Sequence, residues 1–339
     1  MRKVFSHVVV AVLASGSIMA GQAADVSKVI TDANKVLAEV RQALGGEKKL
    51  AGVKTLSATG RATRVNGDTS MPPTDFEMAM ELPDKYVRKD VVATLGNATI
   101  TRTSGFNGSA PIDVVDTPPA MPGMVFFRGP GGPTTPGMQP TPEQAAEARK
   151  ASLRSSRQDF ARLTLGMFAA SFDAYPLQFA YAGQAESPDG KADVIDVTGP
   201  DEFALKLFTD AGSHLPLMLS WMAKEPLQMI QTNRAGGAPG AGSGMTVMQN
   251  GGGRAPTTPE DSARMLSDLQ ERMKEAEAKR RVVEYRLYYS DYQDISGVKI
   301  PMRLQRSIDG KPVEELTLEK VKVNAKIDPK KFDAASGGF

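Results

Sequence analysis

The sequence predicts an α+β protein built on a strongly curved antiparallel sheet of about 11 strands, with helices on its open side. Three observations predict it. Runs of alternating apolar and polar residues recur along most of the chain after residue 53, and alternation is the signature of strands with one buried face. Turn signals separate these runs at hairpin spacing: Asn107-Gly108, Ser187-Pro188-Asp189-Gly190, Ser296-Gly297 and Asp309-Gly310. So many strands exceed a small flat sheet, and two stretches of helical periodicity supply the cover that a curved one needs.

The C-terminal meander carries the signal most clearly. Tyr285, Leu287 and Tyr289 share one face, with Glu284 and Arg286 on the other. Val298, Ile300, Met302 and Leu304 then point inward against Lys299, Arg303 and Gln305, and Leu316 and Leu318 point inward against Glu315, Thr317 and Glu319.

The N-terminus reads as a secretory signal over residues 1–23. Arg2 and Lys3 precede an apolar run over 8–13, small residues end the segment, and no cysteine follows to take a lipid anchor. The mature chain, 24–339, is then a single domain working in the periplasm without a lipid anchor. Arg2 and Lys3 account for the whole formal charge of +2, so no global field favours nucleic acid. With 41% hydrophobic and 24% charged residues the composition is that of a globular protein with ample core. The absence of cysteine excludes disulfides, thiolate metal sites and cysteine nucleophiles, and one histidine beyond the leader cannot make a multi-histidine metal site.

In chain order, residues 25–44 form an amphipathic helix stopped by Gly45-Gly46. Strands follow over 53–115, with Phe76, Met78, Met80 and Leu82 alternating with Glu77, Ala79 and Glu81. Segments 117–142 and 235–259 are rich in Pro and Gly, carry one charge each, and read as mobile loops inserted into the domain. Each ends in a helix start, Thr141-Pro142-Glu143 and Thr258-Pro259-Glu260, with a threonine N-cap and proline at the first helical position. The first of these helices is basic early (Arg149, Lys150, Arg154, Arg157) and apolar late (Phe160, Leu163, Met167, Phe168, Phe172); the second, over 260–281, is peripheral. Between the loops Leu177, Phe179 and Tyr181, then Ile195 and Val197, then Phe203, Leu205 and Leu207, then Leu215, Leu217, Leu219 and Trp221 mark further strands.

Nothing in the sequence points to catalysis. His214 sits in a hairpin turn and no nucleophile elbow accompanies it. Asp189, Asp193, Asp291 and Asp294 show turn chemistry rather than a paired-carboxylate spacing, and Gly129-Pro130-Gly131-Gly132 lacks the lysine of a phosphate loop. No catalytic residue, cofactor or metal is expected. The inward faces instead gather an apolar wall: Phe76, Met78, Leu205, Leu207, Leu219, Trp221, Leu287, Tyr289, Ile300 and Leu304, with Leu163, Met167 and Phe168 on the helix above. Such a wall lines either a sealed core or an accessible hydrophobic ligand cavity. The number of strands, set against the few helices, favours the cavity.

The run from Leu287 to Phe332 (LYYSDYQDISGVKIPMRLQRSIDGKPVEELTLEKVKVNAKIDPKKF) resembles the C-terminal strands of the LolA/LolB-like outer-membrane lipoprotein-sorting superfamily. Its aromatic strand, Asp-Tyr, Gly turn, Pro-containing strand and closing Val-Asn then Lys-Phe carry the likeness. The segments DANKVLAEVRQALGGEKKLAGVKTLSATGRATR and DGKADVIDVTGPDEFALKLFTDAGSHLPLMLSW are similar to that family's first helix and strand and its central hairpins. The resemblance implies a half-open β-barrel with helices as a lid, enclosing a hydrophobic cavity for lipids or lipoprotein acyl chains. The implied function is that of a periplasmic carrier or binder, acting as a monomer without nucleic acid. The alternative is an envelope sensor or interaction module that uses the same fold to meet an envelope or outer-membrane protein.

Overall fold

In the computed structural model, residues 22–67, 69–95, 98–116, 124–128, 132–133, 141–188, 190–226, 247–249, 267, 271 and 274–333 are described. The expected leader up to residue 21, the loop 235–259 apart from three residues, and most of the loop 117–142 and of the helix 260–281 lie outside them.

The first helix, α1 (Gln22–Leu44), buries Ala33, Val36, Leu37, Val40 and Leu44 along one stripe. It stops at Gly45, where φ is 135° and where a Cβ would stand 2.3 Å from the Gly297 carbonyl oxygen, so both conformation and space require glycine. After the short α2 (Glu47–Ala51) come strands β1 (Thr55–Asn66), β2 (Thr69–Ser70), β3 (Thr74–Glu81), β4 (Lys85–Leu95), β5 (Ala98–Asn107) and β6 (Ala110–Asp116). Two short strands, β7 (Met124–Arg128) and β8 (Gly132–Pro133), precede the long helix α3 (Pro142–Phe168). Next are β9 (Gln178–Ser187), β10 (Gly190–Thr198), β11 (Ala204–Asp210), β12 (Pro216–Lys224), the short β13 (Val247–Gln249), and the meander β14 (Val282–Ile295), β15 (Val298–Ile308) and β16 (Lys311–Val323).

All but three of these strands join one antiparallel sheet of thirteen, ordered β6-β5-β4-β3-β1-β16-β15-β14-β12-β11-β10-β9, with β2 paired to β1 at the side. Each half of the chain is a meander, and the pairing of β1 with β16 fuses the two. The sheet is not closed; β6 and β9 are its edges. The two Pro/Gly-rich insertions meet, because β7 pairs with both β13 and β8 in a small separate sheet.

Helix α3 lies on the path from one edge strand, β6, to the other, β9, after the short β7 and β8. Its 27 residues span about 40 Å, whereas twelve flat strands would hold their edges about 53 Å apart. The helix packs on β5, β6, β12 and β15, so it lies across the concave face from the β6 edge to the second meander. Thr141 starts α3 with a reciprocal cap: its hydroxyl accepts from the Gln144 N–H at 3.2 Å, and its own N–H donates to Gln144 Oε1 at 3.0 Å.

The face assignments hold along the meander, with two corrections elsewhere. Leu217 leaves the inward row and is 40% exposed. Thr209 pairs with Pro216 and Phe208 with Met218, so Leu217 is the unpaired residue of a bulge. Ala79, read as outward beside Glu77 and Glu81, does face the convex side but is fully buried there. With Val87 and Ile112 it lies under Phe332, which the C-terminal 3-10 turn Pro329–Phe332 folds back over the sheet. Asn324 begins that return: its amide accepts from the Lys54 N–H at 2.7 Å and donates to the Gly52 carbonyl at 3.0 Å. Asn324 and Phe332 therefore clamp the end of the chain to the sheet.

Phe332→Ala should lower stability by about 3–5 kcal/mol, since the ring is 1% exposed and fills a closed cluster. The shift should appear in the urea midpoint at unchanged m-value. A loss below about 1 kcal/mol would mean that the convex cluster holds without its cap.

Candidate functional site

The exposed first half of α3 reaches the sheet through a face of small residues, Ala151, Ser152, Ser155 and Ser156, before Phe160, Leu163 and Met167 take over. Where the helix side chains are small, a cavity of about 250 Å³ remains between α3 and the concave face of the sheet. Its apolar flank is Leu163, Leu287, Leu304 and Leu316; small α3 residues and a strip of arginines and carboxylates make most of the rest.

The charged strip is a continuation of apolar rows. On β4 the inward parity runs Tyr86, Arg88, Asp90; on β15 Leu304 leads to Arg306; on β16 Leu316 is preceded by Glu314; β1 adds Arg64. Arg88 donates to Asp90 at 2.6 Å and to Glu314 at 3.0 Å, and Arg64 donates to Asp90 at 3.1 Å and to the Val91 carbonyl at 3.2 Å. Arg102 on β5 holds Asp113 on β6 with two bonds of 3.1 and 3.4 Å. Bulges at Val91/Ala93 and at Arg306/Ser307 interrupt the ladders beside the strip, and bulges re-aim side chains.

The Arg88, Asp90 and Glu314 side chains keep only 12–14% of their exposure, so the network is electrostatically strong. Burial opposes the Glu314 charge, but Arg88, Arg306 and Arg64 outweigh it and hold the carboxyl down at about 2, below its ordinary 4.5. Burial likewise opposes the Arg88 charge, and Asp90 and Glu314 more than offset it, raising Arg88 above its usual range. Arg162 on α3 goes the other way: burial lowers it, and Asp159 at 3.1 Å only partly compensates. Its guanidinium lies 4.5 Å from the Trp221 ring and 5.3 Å from Phe203, while Trp221 stacks on Tyr285 at 5.5 Å.

The thirteen residues expected to line a wall are brought together. Trp221 is half-buried; the other twelve are at most 8% exposed, and all pack in one continuous core with α1 and α3. Leu163, Leu287 and Leu304 border the cavity. Tyr289 is pinned beneath the helix, its hydroxyl donating to the Arg162 carbonyl at 2.6 Å. A Cβ on Gly166 would fall 2.2 Å from that ring, so the glycine sets how closely α3 approaches. The arginines and carboxylates of the strip were not anticipated, although period two carried on from Leu304 reaches Arg306, and carried back from Leu316 reaches Glu314.

His214 is a turn residue with φ of 56°, its N–H donating to the Asp210 carbonyl at 2.8 Å. Asp193 accepts from Tyr181 and Gln184, and Asp294 caps the Gly297 N–H, so these carboxylates serve separate local structures. Among the described residues no three His, Cys, Asp or Glu side chains are placed to hold a metal ion. No helix among them is long and apolar enough to cross a membrane.

The depressed Glu314 carboxyl fixes a pH dependence. Its stabilisation is complete above about pH 4.5 and is lost as pH falls toward 2. Glu314→Gln should cost about 3–5 kcal/mol at pH 7, because three guanidinium groups lose a shared carboxylate. The difference in unfolding free energy between wild type and variant should close between pH 4.5 and pH 2. A difference constant with pH would assign the loss to packing instead.

No family model and no curated protein matches the chain. Among solved structures it is similar to a DUF1329 family protein from Desulfovibrio piger, at 5% identity over 90% of this chain and 97% of that one, with a TM-score of 0.41. It is also similar to a LolA superfamily protein from Nitrosomonas europaea, at 10% identity over 89% and 97%, with a TM-score of 0.40. A third, MucB, is 12% identical over 86% and 92%, with a TM-score of 0.18. The fold stated above rests on the chain's own strand order and on the helix that crosses the concave face.

Proposed function

We propose that this chain is a non-enzymatic binding or carrier protein for lipids or lipoprotein acyl chains, working in the periplasm after loss of residues 1–23. The observation that carries the reading is the cavity on the concave face, charged on one side, flanked by leucines on the other and continuous with the apolar core. An amphiphile matches that division, with its polar end at the charged strip and its chain against the leucines.

The cavity of about 250 Å³ is just below the range of about 300–1,000 Å³ usual for small-molecule sites. It has room for a head group and the first methylenes. A longer chain has to part α3 from the sheet, entering among Leu163, Met167, Leu219 and Ile300. Each buried methylene would contribute about 0.8 kcal/mol, offset by the helix contacts it replaces.

One observation favours the alternative of an envelope sensor or interaction module: the apolar face is already covered by α1 and α3, so its burial does not require cargo. Binding decides between them. Delipidated protein should bind a fluorescent fatty-acid analogue saturably, and Ser152→Trp, which fills the cavity from the helix side, should weaken that binding at least tenfold with the melting temperature little changed. Well-folded protein that shows no saturable binding would leave the interaction module as the better reading.

A further inference from the structure

The charges around the cavity do not balance. Five guanidinium groups, those of Arg64, Arg88, Arg102, Arg162 and Arg306, face four carboxylates, those of Asp90, Asp113, Asp159 and Glu314. Pairing them leaves one over. Arg102 takes Asp113, Arg162 takes Asp159, and Arg64 and Arg88 share Asp90 and Glu314. Arg306 is left with Glu314 Oε2 at 3.9 Å, beyond hydrogen-bond reach. Its Nε is buried and finds no acceptor among the described residues. The Nε atoms of Arg88 and Arg162, on the same cavity, are in the same condition. The Arg306 side chain still keeps 28% of its exposure, so it is reachable.

An arginine cannot relieve such a position by losing its proton, and a buried donor without an acceptor is destabilising. The combination of one excess positive charge, an unused planar fork and a leucine flank specifies a ligand. We propose that the cavity seats the carboxylate of a fatty acid, with Arg306 as the residue that recognises it. A monoanion cancels the excess charge, and a carboxylate presents two oxygens to a guanidinium in parallel. Leu304, two residues before Arg306 on the same strand face, and Leu316 beside Glu314 receive the first methylenes. This inference rests on the reading of the cavity as an amphiphile site.

The test is titration of the delipidated full chain at pH 8 with oleate, with oleyl alcohol, which has the same chain without charge, and with butanoate, which has the charge almost without chain. Wild type should bind oleate at least tenfold more tightly than oleyl alcohol. Arg306→Gln should weaken oleate alone, making the two ligands equal, while its melting temperature stays the same or rises. Arg306→Lys, which keeps the charge and loses the fork, should fall between them, and it carries the test if Arg306→Gln does not fold. Equal binding of oleate and alcohol by wild type, or equal weakening of both by Arg306→Gln, would overturn the head-group assignment and leave the carrier reading standing. Butanoate bound by wild type but not by Arg306→Gln, with neither long chain binding, would keep the anion site and sink the carrier reading. No binding of any of the three would remove both.

Discussion

One helix, α3, is laid across the concave face of the sheet, and the character of that face follows from the crossing. β6 and β9 lie at opposite ends of the strand order, and α3, on the path between them, crosses the concave face. The crossing explains why α3 changes character along its length. Its exposed start is polar, while its end passes over the middle of the sheet and is buried from Phe160 to Phe168 except at Arg162. It also packs on β6, while α1 packs along β9, so each edge strand has a helix against it.

The concave face has two regimes. Toward the C-terminal half of α3 it is a dry core, with Tyr289 and Tyr292 tied to helix carbonyls at 2.6 and 3.1 Å. Toward the other end the same inward rows become charged. Buried ion networks give little net stability, since desolvation cancels most of the attraction. Leucines at Arg88, Asp90, Arg306 and Glu314 would hold this end of the sheet as well. Serine and alanine on the facing turns of α3 leave the strip uncovered where larger side chains would seal it. Charge and space occur together here, which is what separates a site from a structural salt-bridge cluster.

Most of the fold was legible because burial on one face imposes period two on a strand, and the meander from Tyr285 to Leu318 shows it with few exceptions. The cap at Thr141 and the stop at Gly45 were legible for local reasons: one depends on a side chain three residues away, the other on a conformation only glycine readily takes. Leu217 was misplaced because a bulge depends on the partner strand, which a single run does not reveal. Ala79 was placed on the right face, but its burial was not legible because its cover, Phe332, comes from the far end of the chain. The candidate site was half legible. Its leucines stood out as apolar positions; its charges lay on the same rows but looked like the solvated face, and only the path of α3 turns that face into an interior.

The same geometry bears on how a carrier of this kind would release its cargo. Sixteen methylenes buried in an empty pocket would contribute about 13 kcal/mol, enough to hold a chain at nanomolar dissociation constants before any head-group contact. Here the apolar face is not empty. A chain that enters gives up water, and the side chains of α3 give up the sheet, so the two apolar contributions largely cancel. Net affinity then depends on the small part of the site that has no internal substitute. That part is the charged end, where α3 presents only serine and alanine and Arg306 has no carboxylate within hydrogen-bond reach. In the proposed carrier, a helix that competes for the chain but not for the head group would make uptake selective and release easy. It would also place the discriminating contact at the charged end of the concave face, apart from the apolar core.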